Sequence, residues 1–173
     1  MSTPSPSYVL DANVFIQAKR RFYPFDICPG YWDALSWHAS QGVICSVDKV
    51  EDELQQGKDS LWDWTKTSFD LTAFRSTNNL DVITEFGPLM TWVQAQSQFI
   101  PAAKAQFATV ADGWLIAYAK STNSVVVTLE EHNPDTKKKV PMPTVCQAFG
   151  VEWITPFEMM RRLGIKLKWT APT

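Results

Sequence analysis

The sequence has few of the side chains that build soft-metal sites and covalent cross-links. Its three cysteines, Cys28, Cys45 and Cys146, form no C-x-x-C pair, and its two histidines, His38 and His132, do not stand at ligand spacing. This argues against a disulfide framework or a zinc ribbon and for a reduced, cytoplasmic protein. An excess of one charge is lacking too: 16 basic against 18 acidic residues leave a net charge of −2 and a pI near 5.7. Such a balance does not suit a polycationic binder, so any nucleic-acid contact must be local. No apolar run approaches the roughly 18 residues of a membrane span, and the start MSTPSPSYVL carries no basic n-region or long apolar h-region. No membrane association is expected, and no internal repeat is present.

What is abundant is core material. Of the 173 residues, 45% are hydrophobic and 13% aromatic against 20% charged, far too apolar for a disordered chain. At about 150 residues per domain the length predicts one domain, able to bury about 70% of its unfolded surface without disulfides or a structural metal. Residues 1–7, rich in Ser, Thr and Pro, read as a frayed lead-in, 8–165 as the domain with a helical insertion around 58–107, and 166–173 as a tail.

Short apolar runs predict strands at Tyr8–Leu10, Val43–Ser46, Ser124–Leu129 and Val151–Ile154, with a further one expected near Phe69–Phe74. Helical spacing begins near Val14, recurs over Tyr31–Ser40, and follows the Val47, Val50, Leu54 stripe to Gly57. It returns over Thr109–Lys120, Val140–Gly150 and Pro156–Leu163, while Lys58–Phe107 reads as two or three helices interrupted at Gly87-Pro88 and Pro101. The alternation predicts an α/β fold with a mainly parallel sheet and helices on both faces.

In an open parallel sheet, ligands bind beyond the carboxyl ends of the strands where strand order reverses. Asp11 and Glu130 each follow a predicted strand, so the two carboxylates meet if those strands are neighbours. Asp112 is the only charged residue between Lys104 and Lys120, and a fourth acid comes from Glu51-Asp52-Glu53 on the helix after the second strand. Two like charges about 4 Å apart repel by roughly 4 kcal/mol at an effective dielectric near 20. Either some acids stay protonated, or a hard divalent cation sits among them. With so little histidine the inventory favours oxygen ligands, hence Mg2+ or Mn2+, with metal-bound water as the natural nucleophile. Each acid also has a plainer role open to it. Asp112 completes Thr109-x-x-Asp112, a capping box; Asp11 with Asn13 makes an Asx-type cap; Glu130 sits among the loop acids Glu131 and Asp135; and the triplet reads as a solvated helix face.

Taken in order, Val9-Leu10-Asp11-Ala12-Asn13-Val14-Phe15-Ile16, Val50-Glu51-Asp52-Glu53-Leu54, Ala111-Asp112-Gly113-Trp114-Leu115-Ile116-Ala117 and Val126-Val127-Thr128-Leu129-Glu130 resemble the four signatures of PIN-domain nucleases. The resemblance spans residue 8 to about 155 and is nearest to VapC-like toxins and a PIN-like group with a longer opening at Phe22–Gly30. It implies a three-layer α/β/α fold with strand order 3-2-1-4-5 and a metal-dependent ribonuclease acting as the toxin of a prokaryotic toxin-antitoxin pair. An antitoxin partner and a homodimer come with it. On the matching positions it implies Asp11, Glu53, Asp112 and Glu130 as catalytic metal ligands, supported by Asn13 and Thr128. Periodicity leaves Glu51 and Glu53 equally placed beside the apolar stripe, and the resemblance selects Glu53. The chain departs from the pattern in its longer 58–107 segment and in having Glu rather than Asp at 130.

An acidic pocket repels RNA, so phosphates need local bases, and Lys19-Arg20-Arg21 and Lys137-Lys138-Lys139 are the candidate RNA-binding runs. Trp32, Trp62 and Trp64 are candidates either for base stacking or for the core. A haloacid-dehalogenase-like phosphatase would resemble D-x-D where this chain has Asp11-Ala12-Asn13, and a receiver-like phosphoaspartate switch lacks its acidic pair and late lysine. A non-catalytic binding module, its acids only capping helices, is the rival from another class.

Overall fold

Five short strands carry the apolar runs of the sequence: β1 (Tyr8–Leu10), β2 (Ile44–Val47), β3 (Phe74–Arg75), β4 (Val125–Val127) and β5 (Trp153–Ile154). In the computed structural model, which describes residues 7–173, they form one parallel sheet in the order β3-β2-β1-β4-β5. Every residue of β1, β2 and β4 is buried, and because successive side chains point to opposite faces, both faces of the sheet are covered. The lead-in expected at residues 1–7 lies outside the described residues apart from Ser7. That residue is tied to the sheet, its carbonyl accepting the Val125 N–H at 2.9 Å.

The chain builds β2 and β3 on one side of β1 and then returns to build β4 and β5 on the other, which puts the reversal of strand order between β1 and β4. Leu10 lies opposite Val127 in the register, and the Asp11 N–H donates to the Val127 carbonyl at 3.0 Å. The next residues out, Asp11 and Thr128, therefore leave the sheet side by side.

The helices are α1 (Ala12–Gln17), continued by a π-helical turn over Ala18–Phe22, then α2 (Pro29–Ser40), α3 (Asp48–Gly57), α4 (Ser60–Ser68), α5 (Leu80–Ala95), α6 (Pro101–Thr109), α7 (Asp112–Thr122), α8 (Met142–Phe149) and α9 (Pro156–Arg162). Their ends follow local chemistry. Asp59 and Asn79 cap α4 and α5 through their side chains, Thr155 caps α9, and α3 and α7 stop at Lys58 and Asn123 in the left-handed conformation.

Two expectations change, and one open alternative is decided. Gly87-Pro88, read as a break, lies inside α5. Pro88 has no N–H for the Thr84 carbonyl, yet the burial of Val82, Leu89 and Val93 and the packing of α5 on α7 carry the helix through. The strand expected near Phe69–Phe74 is only the two residues of β3, after a 3-10 turn at Leu71–Ala73, so the 58–107 segment also supplies the sheet edge. Trp32 is buried, stacked on Phe25 with ring centroids 4.3 Å apart and packed edge-on against Trp64 at 4.7 Å. It belongs to an aromatic core with Phe15 and Phe69 and has no face to offer a base.

Candidate functional site

The strand ends and four helices converge on a cleft of about 150 Å3 lined by Asp11, Asn13, Glu53, Asp112, Glu130 and Lys139, with Gln106 and Phe107 of α6 along one side. Each acid arrives by a different route. Asp11 follows β1, Glu53 rides on α3, Asp112 is the first residue of α7, and Glu130 stands three residues past β4. Glu53 lines the cleft and Glu51 does not.

Asp11 is 3% exposed. It occupies the N-cap position of α1; the Asn13 N–H acts on its carboxylate from nearby, but no capping hydrogen bond of standard geometry forms, so the Asx-cap role is not realised. Instead its Oδ2 accepts the hydroxyl of the buried Thr128 at 3.1 Å, and that hydroxyl oxygen accepts the Glu130 N–H at 3.1 Å. Thr128 thus joins two acids that come from opposite ends of the chain. The capping box expected at Thr109-x-x-Asp112 is absent as well. Thr109 ends α6 with its hydroxyl on the Gln106 carbonyl, and the N-cap of α7 is Ala111. Asp112 is therefore free of that task.

Burial and mutual repulsion shape the charge state. Burial, reinforced by the Glu130 charge and opposed by the Thr128 hydroxyl, pushes the Asp11 carboxyl up to about 6. Asp112 is pushed to about 8, first by burial and then by the charges of Asp11 and Glu130, with Lys139 acting the other way. Partial burial also raises Glu53, at the exposed rim.

Glu130 is not a solvated loop acid. Its side chain is 12% exposed, one carboxylate oxygen pairs with the Lys139 ammonium, and the other accepts the Met142 N–H at 2.8 Å. Met142 opens α8, whose N-cap, Pro141, has no side chain able to do this. Neither contact leaves a sign in the sequence, because both depend on how the loop after β4 folds back to bring together residues nine and 12 positions apart.

The donors on the cleft are all oxygen, with no His or Cys among the lining residues, which is the chemistry that fits a hard divalent cation. Asp11 and Asp112 would hold it, with Glu130 and Glu53 within the same cleft. Among the described residues, no three His, Cys, Asp or Glu side chains converge closely enough to grip an ion as they stand. Glu130 is turned to Lys139 and Met142 instead.

The basic runs divide. Lys19 pairs with Asp59, while Arg20 and Arg21 are exposed; Lys19 and Arg20 border a small groove that reaches Glu53. Lys137 and Lys138 are exposed on the loop, and Lys139 alone of its run lines the cleft. No helix among the described residues is long and apolar enough to cross a membrane.

A parallel sheet in the order 3-2-1-4-5 between helical layers, with carboxylates at the carboxyl ends of its central strands, defines a PIN-like α/β/α fold. Solved structures with this fold include VapBC2 from Rickettsia felis, bound to a DNA fragment from their promoter, with a TM-score of 0.53 and 17% identity over 86% of this chain and 97% of that one. FitAcB from Neisseria gonorrhoeae gives a TM-score of 0.54 and 18% identity over 87% and 98%. Comparison with curated proteins finds no match. The chain belongs to the family described as Domain of unknown function (DUF4411), whose model matches residues 8–167.

Proposed function

We propose that the protein is a metal-dependent ribonuclease that hydrolyses phosphodiester bonds, with Mg2+ or Mn2+ held by Asp11 and Asp112 and completed by Glu53 and Glu130. The observation that carries this reading is the pair Asp11 and Asp112: one buried and one half-buried carboxylate in one cleft, neither capping a helix, at the point where strand order reverses. Such a pair opposes folding unless a cation or a proton offsets it. A divalent ion bound there supplies a polarised water and neutralises charge developing on the phosphate. The chain's own groups do the rest. Thr128 fixes the orientation of Asp11 and is itself held by the Glu130 N–H. Arg20 beside Glu53 and Lys137 and Lys138 on the loop provide positive charge to either side of the acids for the RNA backbone. A role as the toxin of a toxin-antitoxin pair, with an antitoxin partner, is supported by the fold shared with VapBC2 and FitAcB together with the four VapC-like signatures. Those signatures also motivate a homodimer.

Cleavage of single-stranded RNA by the purified protein tests this. Activity should require Mg2+ or Mn2+ and fall by about a hundredfold or more in Asp11→Asn and in Asp112→Asn. Without metal both variants should melt at or above the temperature of the parent, because each removes a repelling charge. Cleavage retained in both variants, or a clear loss of metal-free stability in both, would return the acids to a structural role.

A further inference from the structure

Folding places four carboxylates and one ammonium on the same cleft. Lys139 is the only member of its lysine run on the cleft, and its Nζ pairs with Glu130. The two partners are held very differently. The Glu130 side chain is 12% exposed and anchored without the lysine's help: its second oxygen accepts the Met142 N–H at 2.8 Å, and its own N–H is on Thr128. The Lys139 side chain is 56% exposed and also borders the adjoining groove lined by His132, Pro134 and Thr136. The acid is fixed and the lysine has open space to swing into. What Lys139 contributes is therefore charge rather than position, and its charge acts on Asp112 and Asp11 as well as on Glu130.

We infer that Lys139 is the cleft's built-in counter-cation, standing in for the divalent ion and displaced from Glu130 when that ion binds. The inference rests on the metal reading above. It accounts for two observations together: the acids are gathered, yet no three of the described His, Cys, Asp or Glu side chains converge on one point while Glu130 faces the lysine. A monovalent ammonium on a flexible stem satisfies one carboxylate well and the others only through its field, whereas a divalent ion gathers several oxygens at once. Removing the lysine charge should thus have effects of opposite sign. The metal-free protein loses its one cation among four acids and becomes less stable, while the divalent ion no longer has a competitor and binds more tightly. A lysine with a merely structural role would lower both.

Titration calorimetry with Mn2+ alone, near neutral pH and without substrate, separates these outcomes. Lys139→Met should bind Mn2+ about tenfold more tightly than the parent, and Lys139→Gln, which keeps a polar partner for Glu130, should gain similarly. Lys139→Arg, which keeps the charge, should stay within about threefold of the parent, as should Lys66→Met on α4. In parallel melts, Lys139→Met should lose stability without metal and recover it with Mn2+. If the parent binds Mn2+ and the uncharged variants bind it equally or more weakly, the counter-cation role is overturned and the metal reading stands. If neither parent nor variants bind Mn2+, both fall.

Discussion

Thr128 shows how a single hydroxyl links residues that the sequence keeps far apart. It donates to Asp11 and accepts from the Glu130 N–H, both at 3.1 Å, and is itself buried. Thr128→Val keeps the shape and removes both bonds, leaving a buried carboxylate short of its donor and a backbone N–H without an acceptor. Chemical denaturation should show a loss of about 1–3 kcal/mol, with Thr128→Ser recovering most of it; an unchanged midpoint in the valine variant would mean that the hydroxyl carries no such link. At this scale Asp11 and Asp112 were legible, since strand-end placement and isolation in an apolar stretch are properties of the local sequence. The anchoring of Glu130 was not. Its partners, Lys139 and Met142, are assigned by how the loop after β4 folds back, and no spacing rule encodes that path.

Between elements, the contact of α5 with α7 decides where Asp112 stands. Phe86 of α5 stacks on Trp114 of α7 with ring centroids 3.7 Å apart and planes 7° from parallel. Gly113 lies between Asp112 and Trp114, and a Cβ there would meet Phe86 Cε2 at 3.1 Å and Phe107 Cε1 at 3.4 Å. In an open helix Gly→Ala gains about 0.5–1 kcal/mol, but overpacking costs about 1–3 kcal/mol, so Gly113→Ala should lower stability by about 1 kcal/mol. Thermal melts check this, and a raised midpoint would show that the neighbouring rings yield freely. The same contact explains why Pro88, a helix breaker by propensity, does not end α5: propensity is local, whereas the packing that overrides it comes from α7, further along the chain. β3 is the opposite case. Two residues cannot show a period of two, and Phe74 and Arg75 become a strand only through pairing with Ser46 and Val47 of β2. The buried runs of β1, β2 and β4 and the direct turns from β1 into α1 and from β2 into α3 are readable, because continuous burial on both faces leaves an unbroken apolar signature that stops where the helix begins.

The acids convert the whole molecule's stability into a function of pH and of metal. A carboxyl raised by folding favours its protonated form in the folded state, so its contribution is fully present below its unfolded value, near 3.8, and is lost as pH climbs through the folded value. For Asp11 that loss runs up to about 6 and for Asp112 to about 8, both driven chiefly by burial, with Glu53 shifted the same way. A bound divalent cation reverses the sign, since it requires the ionised forms. The most direct measurement is the melting temperature of the parent and of Asp112→Asn from about pH 5 to about pH 8.5, each without metal and with excess Mn2+. The parent should melt progressively lower without metal as pH rises, regain stability on adding Mn2+ at the alkaline end, and lose much of both responses in Asp112→Asn. A metal-free melting temperature that stays level or rises over that range, with no response to Mn2+, would contradict the gathering of these carboxylates into a cation site.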